Sequence, residues 1–220
     1  MIDTVQEEYN YLANIYDQRW SFYIAKTVAK LMDQIQGLQV DYRHDQSAKI
    51  LDLGCGTGAL TLQLLNYFPT AQIFGIDLSS AMLDVALQKL ITHQQRLNLS
   101  LKDATDLDFS TASFDLVVSS SVFHYFTEPN RTLSNIYRIL KPGGYLIIND
   151  WCGDYLTCSL LDRYLHLTKR PHFHTYTKKE LRALLTKQQF TVTDLTTYQI
   201  NWFWGMMIAT SVKPSPPLLG

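Results

Sequence analysis

Three glycines at alternate positions, Gly54, Gly56 and Gly58, follow the segment Leu51-Asp52-Leu53 and precede a helical stripe of Leu60, Leu64, Leu65 and Phe68. Glycines there let the backbone turn sharply and approach a ligand with no Cβ in the way, while the helix start presents free N–H groups. A tight turn alone needs fewer glycines, so the loop predicts a nucleoside-bearing ligand. Asp77 ends the next apolar run, and its carboxylate can accept from two ribose hydroxyls at once. The same residues leave a nicotinamide dinucleotide open, because Gly54, Gly56 and Ala59 satisfy the permissive dinucleotide fingerprint and Asp77 stands where its ribose-binding acid stands. Further along, His124 is the candidate proton acceptor, since an unperturbed imidazole titrates near about 6.5. The alternative for it is a packed histidine that shapes a pocket, and Asp150 is a second candidate.

The elements that must position these groups are read from periodicity. Residues 1–36 look helical, with Trp20, Ile24, Val28, Leu31 and Ile35 recurring every three or four positions. A polar linker over 36–47 leads into a strand at 49–53. Strand and helix patterns then alternate, the signature of βαβ units and a parallel sheet. Strands are expected at 72–77, 98–102, 114–119 and 145–149. Ser79 is placed to cap the helix that carries Met82, Val85, Ala86 and Leu90. Glu128-Pro129 opens another helix, with Leu133, Ile136, Tyr137 and Leu140 on its stripe, and Pro142-Gly143-Gly144 is expected to end it. A helical patch near 156–167 and an aromatic loop at 170–176 make a lid. Thr177 with Glu180 forms a capping box, two strand-like segments at 190–199 and 206–213 follow, and a frayed tail is expected over 214–220.

Taken together, Ile50 to Gly58, Gly75-Ile76-Asp77-Leu78-Ser79 with Met82, Lys102-Asp103-Ala104, Phe114 to Ser120 followed by His124, and Leu140 to Leu146 resemble, in order, the motifs of class I methyltransferases, in particular the small-molecule group called methyltransferase type 11. The resemblance covers about residues 49–149. It implies an α/β, doubly wound, Rossmann-like sheet of seven strands in the order 3-2-1-4-5-7-6, flanked by helices and ending in an antiparallel hairpin. It also implies S-adenosyl-L-methionine as cofactor and S-adenosyl-L-homocysteine as product. Carried over residue by residue, Asp52 and Gly54 lie near the methionine ammonium, with Cys55, Gly56 and Gly58 completing the loop. Asp77 takes the ribose, Leu78 and Met82 the adenine face, Asp103 the adenine amino group and the Ala104 N–H its ring. Ser119 and Ser120 follow motif IV, and Tyr16 resembles the tyrosine that closes over the methionine carboxylate. Met82 also sits on an ordinary core stripe, Asp103 also fits a turn, and the aromatics near Tyr16 also fit a docking face for the cap helix.

In an open parallel sheet the ligand crevice lies where strand order reverses, which places the glycine loop beside residues 119–124. The acceptor is expected between the N-terminal cap and the lid, in a space built from Tyr11, Trp20, Trp151, Tyr155, Phe173 and Tyr176, which suits a small, partly apolar or cationic molecule. His172 and His174 have no evident carboxylate partner in the sequence and read as surface residues, so no metal is expected. The division expected is one domain over 1–220, with a cap and linker at 1–47, a cofactor core at 48–150, lid and helix at 151–189 and a C-terminal hairpin at 190–213.

The 220 residues carry 19 basic and 20 acidic side chains and are 46% hydrophobic, enough apolar content for a folded core. This balance leaves no basic track for a phosphate backbone, which argues against nucleic acid. Neither the Asn-Pro-Pro-Tyr segment of amino-base methyltransferases nor the paired-glutamate loop of arginine methyltransferases is present. Three cysteines, Cys55, Cys152 and Cys158, lack disulfide or zinc-finger spacing and read as reduced thiols. With neither the pattern of a secretory signal in the first eight residues nor an apolar run of membrane length, the expectation is a cytoplasmic protein without membrane contact. It would act on a small-molecule acceptor, as a monomer or homodimer. The competing functions are an NAD(P)-dependent oxidoreductase, for which no downstream Tyr-Lys or His arrangement is evident, and a non-catalytic protein that binds S-adenosylmethionine.

Overall fold

Hydrophobic alternation along the strands divides the core into two layers, one on each face of a central sheet. The computed structural model describes residues 2–38, 45, 47–168 and 172–216. Most of the predicted linker, part of the lid loop and the end of the tail therefore lie outside the described residues.

The elements run α1 (Ile2–Arg19), α2 (Ser21–Gln36), β1 (Lys49–Leu53), α3 (Ala59–Tyr67), β2 (Gln72–Asp77), α4 (Ser80–Lys89), β3 (Leu97–Leu101), β4 (Phe114–Ser120), α5 (Pro129–Ile139), β5 (Leu140–Trp151), α6 (Leu156–Leu167), α7 (Lys178–Lys187), β6 (Thr191–Gln199) and β7 (Gly205–Val212). The seven strands form one sheet in the order β3-β2-β1-β4-β5-β7-β6. Strands β1 to β5 pair in parallel, and β7 pairs antiparallel with both β5 and β6. This is the expected Rossmann-like architecture with its terminal hairpin. Adjacent residues of β1 and β4 point to opposite layers. Leu51, Leu53 and Val117 join Leu133 and Ile136 of α5 and Leu181 of α7, whereas Ile50, Leu116 and Val118 join Leu31 of α2, Leu64 of α3 and Ala86 of α4. Burial of both faces explains why β4 reads as a continuous apolar run.

Three local differences from the sequence reading have physical causes. The N-terminal helical region is two helices, broken at Trp20, whose backbone (φ −109°, ψ 16°) leaves the helical region. The Pro142-Gly143-Gly144 turn lies within β5 rather than before it. The Gly143 N–H donates to Lys213 O, and the Lys213 N–H returns to Gly144 O, so the turn is held in the sheet as an irregularity. Two short 3-10 turns, Ile91–Arg96 and Phe123–Tyr125, carried no readable period. The expected caps are present. Ser79 Oγ accepts from the Met82 N–H at 3.1 Å, and Thr177 and Glu180 form a reciprocal box. No helix among the described residues is long and apolar enough to cross a membrane.

Candidate functional site

The carboxyl end of β1 meets that of β4 where the strand order reverses, and a cavity opens there. Its floor is the glycine loop. Gly54, Gly56 and Gly58 all have positive φ (74°, 52° and 78°), which a side chain would strain. They differ in what a Cβ would meet. At Gly54 it would lie 2.4 Å from Val122 Cγ2 and at Gly58 2.9 Å from Leu90 Cδ1, while at Gly56 it would meet nothing within 4 Å. Gly54 and Gly58 thus permit close packing behind the loop, and Gly56 faces open space.

Two carboxylates flank this loop, Asp52 fully buried and Asp77 half-buried. Asp52, on β1, accepts from Thr61 Oγ1 at 2.7 Å. Burial pushes its carboxyl up to about 7, against the Thr61 hydrogen bond and with a smaller contribution from the negative charge of Asp77. Asp77, at the end of β2, accepts from the N–H groups of Gly56 (2.8 Å) and Ser79 (2.9 Å). Burial also raises its carboxyl, the backbone N–H groups working the other way. No basic group among the described residues contributes to either environment. The basic side chain on the cavity wall, Lys102, is paired with Asp108.

Helix α1 roofs the cavity. Its Asn10 Oδ1 accepts from Ser79 Oγ at 2.6 Å, and Asp17 accepts from Thr57 Oγ1 and Lys89 Nζ, both at 2.5 Å. Tyr9 shares a 2.9 Å hydrogen bond with Tyr125 across the roof. Tyr16 is buried beside it, and its phenol is pushed up to about 12 by burial and by the charges of Asp77 and Asp17. On α2, Tyr23 OH meets Ser121 Oγ at 2.8 Å and accepts from Trp151 Nε1 at 2.9 Å.

Of the residues singled out from sequence as cofactor contacts, Tyr16, Asp52, Gly54, Cys55, Gly56, Asp77, Leu78, Met82, Asp103, Ala104 and Ser120 line this one cavity. Gly58 and Ser119 stand behind it, and the buried Ser119 Oγ has no hydrogen-bond partner among the described residues. The expected acceptor chamber is not what lines the space. Tyr11 is 84% exposed, Tyr176 is packed in the core, and Trp20 and Trp151 pack on Trp204. Tyr155 covers Gly205, and Phe173 is anchored through its N–H to His124 O. The walls carry Tyr9, Tyr23 and Tyr125 instead. The first two lie on α1 and α2, within the N-terminal stretch expected to be helical. Tyr125 had one available signal, its place directly after His124.

The histidines also changed places. His124 is not on the cavity wall. It is 2% exposed, with Nδ1 2.6 Å from Asp150 Oδ1 and its backbone N–H donating to Asp150 Oδ2 at 3.1 Å. Its ring stacks on Trp151 with centroids 4.1 Å apart, and its carbonyl accepts from the Phe173 and His174 N–H groups. His172, expected at the surface, is 4% exposed and lines the cavity. The missing carboxylate partner is Asp162, whose Oδ1 lies 2.8 Å from His172 Nε2. Burial holds the His172 ring below the usual histidine range, against the raising effect of Asp162.

Residues 51–148 match the family model described as methyltransferase domain. Over 105 residues, 48% of its length, the chain is 36% identical to a malonyl-[acyl-carrier protein] O-methyltransferase of Priestia megaterium, covering 37% of that relative. It spans between 37% and 56% of the length of this and three further relatives of the same name. Among solved structures, a chain in the complex of the Haloferax volcanii Trm112 methyltransferase activator with a methyltransferase superposes with a TM-score of 0.74 at 20% identity, over 94% of this chain and 98% of that one. A Haemonchus contortus phosphoethanolamine N-methyltransferase, solved with phosphomonomethylethanolamine and S-adenosylhomocysteine, superposes with a TM-score of 0.69 at 18% identity, over 86% of this chain and 53% of that one. At such identities the likeness is one of fold.

Proposed function

Because residues 51–148 match the family model described as methyltransferase domain, we propose that the chain transfers a methyl group from S-adenosylmethionine to a small-molecule acceptor. One observation supports this cofactor above a dinucleotide: the buried carboxylate of Asp52 borders the glycine loop with no basic partner among the described residues. A buried carboxylate is costly until a cation joins it. S-adenosylmethionine brings an ammonium and a sulfonium to that position, whereas the pyrophosphate of a dinucleotide brings like charge. The open face of Gly56 leaves room for the ligand.

In this reading Asp52 faces the methionine ammonium and Asp77 accepts from the ribose hydroxyls, while Leu78 and Met82 cover one face of the adenine. Asp103 and the Ala104 N–H address the adenine edge, and Tyr16 closes over the methionine end from α1. The cofactor supplies a methyl group on a positively charged sulfur, and its departure leaves a neutral thioether. Little acid or base assistance is then required, and holding the acceptor in line provides most of the acceleration. Tyr9, Tyr23 and Tyr125 form the acceptor wall, with His172 beside them. His124 positions this wall through Asp150 and through the carbonyl that anchors Phe173 and His174.

Incubation with methyl-labelled S-adenosylmethionine and a panel of small acceptors, including malonyl thioesters, tests the proposal. Label in a small product together with S-adenosylhomocysteine is the expected result. Binding of S-adenosylmethionine without transfer to any acceptor would favour a non-catalytic binding protein. Nicotinamide reduction in the same panel would favour the oxidoreductase.

A further inference from the structure

Three of the chain's six histidines gather around one carboxylate at the lid. Asp162 lies on α6, and His166 follows it one helical turn later, the spacing that brings two side chains onto one face. His172 comes to the same point from the lid loop. His172 Nε2 is 2.8 Å from Asp162 Oδ1, and His166 Nδ1 is 3.5 Å from Asp162 Oδ2. The two imidazole rings are 5.5 Å apart between centroids and nearly perpendicular. One ligand atom from each of the three residues lies within 4.8 Å of those from the others.

We propose that Asp162, His166 and His172 bind a divalent transition-metal ion of the zinc class. Two imidazoles and one carboxylate suit zinc, cobalt or nickel rather than magnesium or calcium, which take oxygen ligands. Zinc–ligand bonds of about 2.0–2.2 Å require donors somewhat closer than they stand here. The His166 side chain is half-exposed, and its Nδ1, now 2.8 Å from the Asp162 backbone carbonyl, exchanges that contact for the ion. Asp162 is already oriented, since its Oδ1 accepts from the Thr175 N–H at 2.7 Å, the kind of supporting hydrogen bond that fixes a metal-binding carboxylate. His174 is the weaker fourth candidate, because its Nδ1 is 4.0 Å from Asp162 while its Nε2 turns toward Glu180 at 3.6 Å. Three protein ligands leave a position for water or another ligand. An ion here ties the loop carrying His172, a cavity-wall residue, to α6. The site stands on its own geometry, whether or not the cavity transfers methyl groups.

The test is metal titration of the full chain after chelator treatment, using zinc in competition with a chromophoric chelator and cobalt by visible absorption. One equivalent should bind, with the cobalt bands of a low-coordinate nitrogen and oxygen site. His166→Ala should weaken zinc binding at least ~10-fold while its metal-free melting curve matches that of the parent. His93→Ala, a histidine outside the cluster, should leave binding unchanged. No uptake by the parent, or equal uptake by His166→Ala, would overturn the proposal. Loss of binding in His93→Ala would do the same, by locating the metal elsewhere.

Discussion

The backbone N–H of Gly56 donates to Asp77 Oδ2 at 2.8 Å, so the tip of the glycine loop is held by the carboxylate one strand away. The same side chain therefore shapes the loop and, in the proposed function, takes the ribose. Asp77→Ala removes both contributions. With hydrogen bonds to a charged group worth about 1.5–3 kcal/mol each, S-adenosylmethionine affinity should fall ~100-fold or more in isothermal titration. A change of less than threefold would remove Asp77 from the site.

The loop glycines separate folding from ligand space. Gly54→Ala forces a Cβ into Val122 and should lower the melting temperature sharply. Gly56→Ala meets no protein atom within 4 Å and carries only the backbone strain of positive φ, about 1–2 kcal/mol. It should fold but fail to bind the cofactor. A Gly56→Ala protein with parental affinity would show that the ligand lies elsewhere.

Asp52 sets a pH dependence with a definite sign. Its folded carboxyl is raised to about 7, from the 3.8 of an ordinary aspartate, so the unliganded fold holds a proton that the unfolded chain has released between those values. Stability should therefore decline as pH rises from about 4 to 7. Asp52→Asn, which still accepts from Thr61, should melt higher than the parent at pH 8 and equal to it near pH 3.5. A cationic ligand favours the ionised carboxylate, so affinity for S-adenosylmethionine should rise with pH up to about 7. Asp52→Asn should bind weakly and without that rise. A flat pH profile in the parent would show that Asp52 does not face the cation.

The His124–Asp150 pair predicts a different pattern. Both side chains are nearly fully buried, and Asp150→Ala strips the ring and backbone of His124 of their acceptor. Breaking a buried pair of this kind costs about 3–5 kcal/mol, roughly 6–20 °C in a chain of this size. Asp150→Asn, which keeps an acceptor, should lose less than half as much. Cofactor affinity should stay near parental in both variants, and calorimetry with titration checks the separation. Loss of affinity without loss of stability would place the pair in the binding site.

What was legible from sequence follows from what is local. The glycine loop, the Ser79 cap and the Thr177–Glu180 box each depend on residues a few positions apart, and strand β4 announces itself by burial on both faces. The cavity wall depends on long-range packing. Nothing near His172 indicates that Asp162, ten residues earlier on α6, turns toward it, and nothing near His124 separates a ring stacked on Trp151 from one facing a ligand. Likewise, nothing local separates Tyr9 and Tyr16, which line the cavity from α1, from Tyr11, which is 84% exposed.

Whether the buried Asp52 carboxylate beside the glycine loop selects a cation is tested most directly by isothermal titration of the purified chain at pH 7.5 with S-adenosylmethionine and, separately, with NADH. The account predicts one equivalent of S-adenosylmethionine bound and no measurable NADH binding. Tighter binding of NADH would contradict it.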